Sequence, residues 1–428
     1  MTFRRFLMPV LLAMTGLPAL AQELSWSGYG TIGYAQSNRD YAYQRSIDSG
    51  GTFERDSVFG IQADVRFTPQ WSATVQAKLA PSLKSDQRWD LIPAWAFVAW
   101  RPGDDWLVRA GRMRIPLYLY SESLDLGVAH DMARLPAEMY SIAPSSDFAG
   151  LSLTKTWALG PRDLSLDLYS GSATIATRFW LRDGLPPQVP AGANFIDIKV
   201  RASGAVLTWR SQDSLVRAGL HRARTTRTDG GPFRVSYPFV AIAPGLGYYQ
   251  TSAEMPGPGI PNVDSIRNAL FTLGLEQGLG DGWRVAAEYV RNKQHDTEVG
   301  SDTHGGYLAV SRKLGPITPY VSLGQLRSTS TSLDWYRRLV GNTLPPMIPG
   351  SEQLNAAQRI AAETIYAVDQ RSLAVGAAYA IGATQKLKFE WMRTRVGQVS
   401  RLVDTPPGSA TPSGTDIDTW SINYSFSF

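Results

Sequence analysis

The last ten residues of this 428-residue chain constrain its fold more than any other segment. Between Thr419 and Phe428, bulky apolar residues occupy every even position and small polar residues occupy every odd position. A period of two is the period of a β-strand, in which successive side chains point to opposite faces. One face of this strand is therefore predicted to meet an apolar environment, and the other face is predicted to meet water.

The N-terminal residues form a three-part export signal. Two arginines at positions 4 and 5 precede an apolar stretch over residues 6–20, and a small-x-small cleavage site ends at Ala21. The pattern predicts a signal peptide over residues 1–21 that is removed on export, which leaves a single barrel domain over residues 22–428. A retained membrane anchor is the alternative, but the apolar run is short and is interrupted by proline and glycine.

The composition of the mature chain narrows the class of protein. After Ala21 no apolar stretch reaches the length of a spanning helix. Because only helices and closed barrels satisfy their backbone groups in lipid, a membrane protein without such helices has to be a barrel. The chain contains no cysteine, which excludes a disulfide scaffold. The formal charge of +5 falls by two when Arg4 and Arg5 are removed, and so small a surplus does not indicate a nucleic-acid binder.

The rest of the chain divides into alternating segments of about ten residues, as a barrel requires. We predict sixteen strands over residues 24–34, 57–68, 71–80, 93–101, 106–112, 148–159, 163–171, 194–210, 213–224, 267–279, 283–294, 303–314, 317–329, 367–382, 385–396 and 416–428. Seven connections are tight turns rich in glycine, proline and aspartate, and the other eight are long. An even strand count with this alternation predicts both termini and the tight turns on the periplasmic side.

Several strands keep charged residues on one face only. In residues 59–67, for example, Phe59, Ile61 and Val65 alternate with Asp64 and Arg66. A soluble β-sandwich would also alternate, but it rarely keeps so regular a succession of short and long connections. Tryptophans near predicted strand ends are typical of the interfacial girdles of membrane barrels: Trp26, Trp71, Trp95, Trp106, Trp157, Trp209, Trp283 and Trp420.

Taken together, the signal peptide, the sixteen-strand pattern, the long third loop and the terminal Phe428 resemble the Gram-negative general porin superfamily over nearly the whole mature chain. The resemblance implies an all-β fold, a 16-stranded antiparallel transmembrane β-barrel with a long third loop folded into the lumen. It also implies a homotrimer in the outer membrane, in contact with lipid and lipopolysaccharide and inserted by the barrel-assembly machinery. The expected function is passive diffusion of small hydrophilic solutes and ions, without a cofactor.

The constriction of such a channel is set by charged side chains near the third loop. The candidates in that loop, over residues 113–147, are Glu122, Asp125, His130, Asp131, Arg134 and Glu138, and the preceding strand carries Arg109, Arg112 and Arg114. By the period-two rule Arg112 and Arg114 share a face. Further wall candidates are Arg66, Lys78, Arg217, His221, Arg284, Lys386 and Lys388, against Asp64, Glu276, Glu288 and Glu390.

Two interpretations of these charges stay open. Loop carboxylates could oppose wall arginines across an eyelet and impose a transverse field, or the same charges could pair and only fix the loop. The basic set is the larger one, which gives a weak indication of anion preference. A substrate-specific channel with a saturable site is the alternative to a general diffusion pore.

An enzyme is the alternative from a different class. The four histidines are His130, His221, His295 and His304, and none lies in a G-x-S-x-G or His-Glu-x-x-His setting. We therefore expect no catalytic residues and no metal site. The run Gly28-Tyr29-Gly30-Thr31-Ile32-Gly33 spells a dinucleotide motif, but no helical pattern follows it, so we assign it to the first strand.

The fifth and seventh loops are the longest. The fifth contains six prolines between residues 232 and 261, which exclude a regular helix and favour a cap over the mouth. In the seventh, Leu354, Ala357 and Ile360 share a helical face after Ser351, which predicts a short helix with a serine N-cap over residues 351–365.

Overall fold

The computed structural model describes residues 23–142, 147–185 and 187–428. The predicted signal peptide lies outside the described residues. Sixteen strands form one closed antiparallel barrel, which confirms the predicted fold class and strand count. The strands are β1 Glu23–Ser37, β2 Val58–Arg66, β3 Trp71–Pro81, β4 Trp89–Gly103, β5 Trp106–Arg114, β6 Asp147–Leu159, β7 Arg162–Leu181, β8 Gly192–Arg210, β9 Ser214–Arg227, β10 Ile266–Gly280, β11 Trp283–His295, β12 Thr303–Arg312, β13 Ile317–Ser328, β14 Asp369–Ala380, β15 Gln385–Val396 and β16 Asp416–Ser427.

The barrel closes between its first and last strands. Tyr29 of β1 pairs with Ser427 of β16, and the register runs without a shift to Ser37 and Thr419. Phe428 continues the ladder, since its backbone exchanges two hydrogen bonds with Gly28 at 2.9 and 3.0 Å. Every strand pairs with its neighbours in sequence, so the described barrel has no open edge.

The glycines of the apparent dinucleotide motif have a packing role in this seam. A side chain at Gly28 would overlap the ring of Phe428, and one at Gly30 would overlap the ring of Phe426. The two glycines therefore leave room for aromatic side chains of the last strand.

Turn chemistry explains the short connections at one end of the barrel. Gly160, Gly315 and Gly382 lie in three of these turns with φ values of 67°, 62° and 88°. Such left-handed backbone is readily adopted by glycine and is strained in most other residues. The eight long connections, which we number loop 1 to loop 8 along the chain, lie at the opposite end.

The two faces of the wall differ sharply in polarity. The outward row is apolar and exposed, and includes Val75, Leu151, Leu168, Leu207, Leu220, Leu273, Leu308, Leu323, Val375, Phe389 and Ile422. The inward row is polar and buried, and includes Thr74, Gln76, Ser152, Thr208, Thr272, Glu288, Ser322, Lys388, Ser421, Asn423 and Ser425. A closed wall with an apolar exterior of this extent suits a hydrocarbon surrounding.

The outward row changes from apolar to charged toward the long-loop end. The change occurs between residues two apart on the same face, as in Leu220 and Arg222, Tyr289 and Arg291, Leu373 and Arg371, Trp391 and Arg393, and Trp420 and Asp418. At the short-turn end, tryptophans border the apolar band, and Trp71 stacks on Trp100 across the strands with ring centroids 5.8 Å apart. Trp95 is different, because it pairs with the inward-facing Gln76 and not with the girdle.

Several bounds differ from the predictions for physical reasons. Strand β7 continues ten residues beyond the predicted end at 171, because Ser172 to Leu181 pair fully with β8. Loop 7 contains two helices, α2 Ser330–Gly341 and α3 Ser351–Thr364, of which only α3 was predicted. Gly350, and not Ser351, precedes the first turn of α3 as its N-cap. Among the described residues, no helix is both long and apolar enough to cross a membrane.

We expect that Leu273→Arg will destabilise the barrel in lipid vesicles. Leu273 lies on the outward row of β10 between Ala218 and Tyr289, and an arginine in the middle of a bilayer costs about 2–4 kcal/mol. Urea unfolding in vesicles measures the change, with Leu273→Met as the apolar control. An unchanged free energy of unfolding for the arginine variant would show that this row does not face hydrocarbon.

Candidate constriction and vestibule

Loop 3 contacts inward-facing side chains from widely separated parts of the wall. Its described residues 115–142 contain one 3-10 turn, Gly127–Ala129, and one short helix, α1 Ala137–Tyr140. The Leu119 backbone N–H donates to Glu288 of β11 at 2.7 Å, and Asn423 of β16 donates to the Ala133 carbonyl at 2.7 Å. The segment therefore runs across the interior of the barrel.

Glu288 is the principal anchor on the β11 side. Besides the Leu119 N–H, its carboxylate accepts the hydroxyls of Tyr140 at 2.5 Å and Tyr307 at 3.0 Å. Nearby, Tyr120 donates to Glu276 at 2.8 Å, and Arg284 pairs with the same carboxylate at 3.1 Å. Loop 3 is thus held to this wall by two carboxyl groups that accept hydrogen bonds from its backbone and its tyrosines.

On the opposite side, Asp125 joins loop 3 to two wall cations. Its carboxylate lies 2.8 Å from both the Lys78 ammonium and the Arg114 guanidinium, and Arg114 also pairs with Asp147 at 2.8 Å. Burial alone would raise the pKa of Asp125, but the two cations lower it to about 2. Asp125 therefore stays ionised at any pH at which the protein is expected to work.

A second group of ion pairs holds the end of loop 3 that faces β15 and β16. Arg134 pairs with Asp56 of loop 1 at 2.5 Å, and Asp131 pairs with Lys386 at 2.7 Å. Lys388 donates to the backbone carbonyls of Gly127 and Met132 at 3.0 and 3.2 Å. Burial opposes ionisation of Asp56, but Arg134 lowers the net pKa of that carboxyl.

These distances bear on the two interpretations of the loop charges. Asp125 and Asp131 form direct ion pairs with wall cations, and Arg134 forms one with Asp56 of loop 1, with no gap in which a solute could pass between the partners. The contacts therefore favour the interpretation in which these charges fix the loop. Glu138 is fully buried and accepts a hydrogen bond from Gln370 at 3.0 Å, whereas Glu122 is exposed.

The remaining candidates occupy different places. Arg109 faces inward and donates to Ser152 at 3.2 Å, and Arg217 is buried with its guanidinium on the Tyr118 carbonyl at 2.6 Å. Arg66 pairs with Glu23 near the short-turn end at 3.2 Å and is exposed. His130 of loop 3 is buried with Nε2 2.8 Å from the Ser123 carbonyl, and burial lowers the pKa of His130 to about 4.

Arg112 does not share the inward placement of Arg114. It pairs in register with Ala96 and Ala149, which belong to the exposed outward row. The period-two rule fails here because Arg114, at the end of β5, turns inward to meet Asp125 and Asp147.

Above loop 3 lies a cavity of about 2050 Å³ that opens toward the long-loop end. Without Arg222, whose side chain faces outward, ten Lys and Arg residues and five Asp and Glu residues line it. Strand residues Ile196, Ile198 and Val200 line it beside Leu354 and Ile360 of α3. We call this cavity the vestibule.

A partly buried charge cluster near the rim of the vestibule was not predicted. Arg178 of β7 pairs with Asp86 of loop 2 at 2.7 Å and with Asp404 of loop 8 at 2.6 Å, and Arg45 of loop 1 also pairs with Asp86 at 2.6 Å. Its four members come from four separate segments, so no local spacing in the sequence identifies them as partners. Within the described residues, no three His, Asp or Glu side chains are placed to hold a metal ion.

Comparisons with known proteins support the fold. No family model matches the chain, and no curated protein matches it. Among solved structures, the outer-membrane protein OmpT of Vibrio cholerae is 10% identical and aligns over 96% of this chain and 99% of its own, with a TM-score of 0.50. A trimer form of in-vitro folded OmpT gives 11% identity, coverages of 96% and 100%, and a TM-score of 0.50.

OmpF of Salmonella typhi, solved in complex with daunomycin, gives 12% identity, coverages of 95% and 97%, and a TM-score of 0.50. At these identities the similarity shows a shared fold. The chain thus has a sixteen-stranded barrel of the kind found in outer-membrane proteins of Gram-negative bacteria.

We expect that Asp125→Asn will release one side of loop 3. The substitution leaves the mostly buried Lys78 without its anion and leaves Arg114 with Asp147 alone, and removing one partner of a buried pair costs about 3–5 kcal/mol. Single-channel recording should show larger current fluctuations than for the native protein. Glu122→Gln, at an exposed position of the same loop, is the matched control, and equal noise in both variants would contradict the anchoring role of Asp125.

Proposed function

We propose that the protein is an outer-membrane channel through which small solutes and ions diffuse passively. The observation that carries the proposal is the closed barrel with an apolar exterior, polar inner wall side chains and a vestibule of about 2050 Å³ above loop 3. A barrel that only anchored other parts would need no such cavity. In this orientation the long loops face the outside of the cell and the short turns face the periplasm.

The proposed channel prefers anions. The excess of Lys and Arg in the vestibule raises the local concentration of anions, because low-dielectric walls focus the field of fixed charges. Lys388 contributes directly, since its ammonium contacts only carbonyl oxygens among the described residues.

Reversal potentials across planar bilayers in a KCl gradient test the preference. We expect the purified protein to be more permeable to chloride than to potassium, and the ratio should fall when ionic strength is raised because salt screens the wall charges. A preference for potassium would contradict the proposed selectivity, and an absence of conductance would contradict the channel itself.

The native assembly is proposed to be a homotrimer, since a solved trimer form exists among the barrels of the same fold. Insertion by the barrel-assembly machinery is part of the same proposal, because Phe428 ends the closing strand as the resemblance to porins implies. No catalytic step is included. Hydrolysis of phospholipid or peptide by the purified barrel would instead support the hydrolase alternative.

Lipopolysaccharide is proposed to bind an outward basic patch, Arg201, Arg222 and Arg224. Arg224 directly faces Arg201 on β8 and Arg267 on β10 across the strands. Like charges opposite each other destabilise a sheet unless an anion lies between them. Arg267 pairs with Asp296 at 2.6 Å, but Arg201 and Arg224 have no carboxylate within ion-pair distance among the described residues.

The patch lies where a phosphorylated lipid would present its headgroup. Arg222 is two residues beyond the exposed Leu220 on the same face, at the upper limit of the apolar band. Phosphate groups of outer-leaflet lipids would thus meet the guanidinium groups while the acyl chains cover the leucines.

We expect the double variant Arg201→Ser with Arg224→Ser to bind lipid A at least tenfold more weakly, since one charged hydrogen bond contributes roughly 1.5–3 kcal/mol. Native mass spectrometry of detergent-solubilised protein measures the binding. Arg395→Ser is the control, because Arg395 is an outward arginine already paired with Asp416 at 3.1 Å. Equal affinity of the double variant and the control for lipid A would contradict the proposal that this patch binds lipid.

A further inference from the structure

The polarity of strand β8 is inverted in its upper half. Ile196, Ile198 and Val200 line the vestibule, whereas the intervening Asp197, Lys199 and Arg201 are exposed on the outer surface. Lower in the same strand the usual arrangement returns, because Leu207 is exposed outward and Thr208 is buried inward. A wall that served only hydrated ions would have no reason to turn aliphatic side chains toward the water-filled side.

Apolar residues from three other segments line the same space. Helix α3 contributes Leu354, Ala357 and Ile360, and loop 5 contributes Tyr237 and Met255. The floor is formed by loop 3, from which Ile115, Leu117, Leu135 and Ile142 line the vestibule. Helix α2 packs against α3 through Leu333, Tyr336 and Leu339, which lie in one cluster with Ala361 and Ile365. The apolar lining is therefore formed by side chains from several segments, and packing between α2 and α3 holds part of it in place.

The same cavity contains an arginine, Arg55, that has no carboxylate within ion-pair distance among the described residues. Arg55 of loop 1 donates only to the Gln44 side-chain oxygen, at 2.9 and 3.1 Å. Arg134 binds Asp56 through Nε and Nη2, but its Nη1 is buried with no hydrogen-bond partner among the described residues. Burial and the neighbouring Arg134 lower the pKa of Arg55 to about 10, so Arg55 still carries its charge at neutral pH.

We propose that the vestibule binds small organic anions that carry an apolar body, such as aromatic or branched carboxylates, before they pass loop 3. This inference rests on the proposed channel function and names its solute class. The carboxylate of the solute pairs with Arg55, and its apolar body lies against the aliphatic lining of β8 and α3.

Other solute classes match the cavity less well. A sugar would lose hydrogen bonds to water against Ile198 and Val200, and these side chains offer none in return. An uncharged apolar molecule would leave Arg55 without an anion. Only a solute with both a carboxylate and an apolar body matches the arginine and the aliphatic side chains of the vestibule.

Block of chloride current by added solutes tests the inference. With the complete protein in planar bilayers, benzoate and cyclohexanecarboxylate should reduce the current in a saturable way, whereas acetate and gluconate at equal concentration should not. Benzyl alcohol should block much more weakly than benzoate, because it lacks the carboxylate.

Two neighbouring residues of β8 provide a matched pair of variants. Ile198→Ser removes about three carbons of apolar contact and should raise the half-blocking concentration of benzoate roughly tenfold or more. Lys199→Ser, on the outer face of the same strand, should leave it unchanged. Arg55→Gln should weaken block by benzoate and leave the weak block by benzyl alcohol unaltered.

The current of each variant is first measured without solute, because a variant that conducts has folded. The loss of block by benzoate is then compared among the conducting variants. Equal block by acetate and benzoate, or an equal effect of the two β8 variants, would overturn the inference while conduction itself left the channel function standing. An absence of current in the native protein would overturn both.

Discussion

Closure of the backbone hydrogen-bond ladder is the constraint on which the rest of the structure depends. In hydrocarbon each unpaired N–H or C=O costs several kcal/mol, so the sheet has to return on itself. Here β1 and β16 complete the ring, and Phe428 adds the last pair of bonds to Gly28. Once the ring is closed, one face of every strand points to the outside of the barrel and the other face points to its interior. The alternation of side chains then decides which solvent each face meets.

The height of the barrel above its apolar band explains the vestibule. The outward row becomes charged at Arg222, Arg291 and Arg371, yet strands such as β7 and β8 continue well beyond that level. Above the band the outer face meets water and headgroups, so its side chains become polar. At this height the outer positions of a strand no longer have to be apolar, and its apolar residues lie on the inner face instead, as Ile196, Ile198 and Val200 do.

The barrel could be predicted from the sequence, but the side-chain contacts in its interior could not. Strand number and most strand bounds follow from period two and from turn residues, which are local signals. The upper part of β7 was missed because Ser172 to Leu181 carry no clean alternation, and their pairing with β8 decides their structure. The partners of Asp125 and Arg134 come from distant segments, so the sequence could name these residues but could not distinguish anchoring from an open eyelet. The inverted row of β8 was visible as Ile-Asp-Ile-Lys-Val-Arg, but apolar residues were expected to face outward throughout.

The ion cluster around Arg178 limits how the outer surface of this protein can be altered. Asp86 of loop 2 and Asp404 of loop 8 share that one guanidinium, and Arg45 of loop 1 pairs with the Asp86 carboxylate. Replacing a single one of these loops, for instance by grafting a display peptide, would leave a partly buried charge of another segment without its partner. Loops 1, 2 and 8 therefore have to be replaced together, and a replacement that keeps the fold has to preserve the ion pairs among all of them.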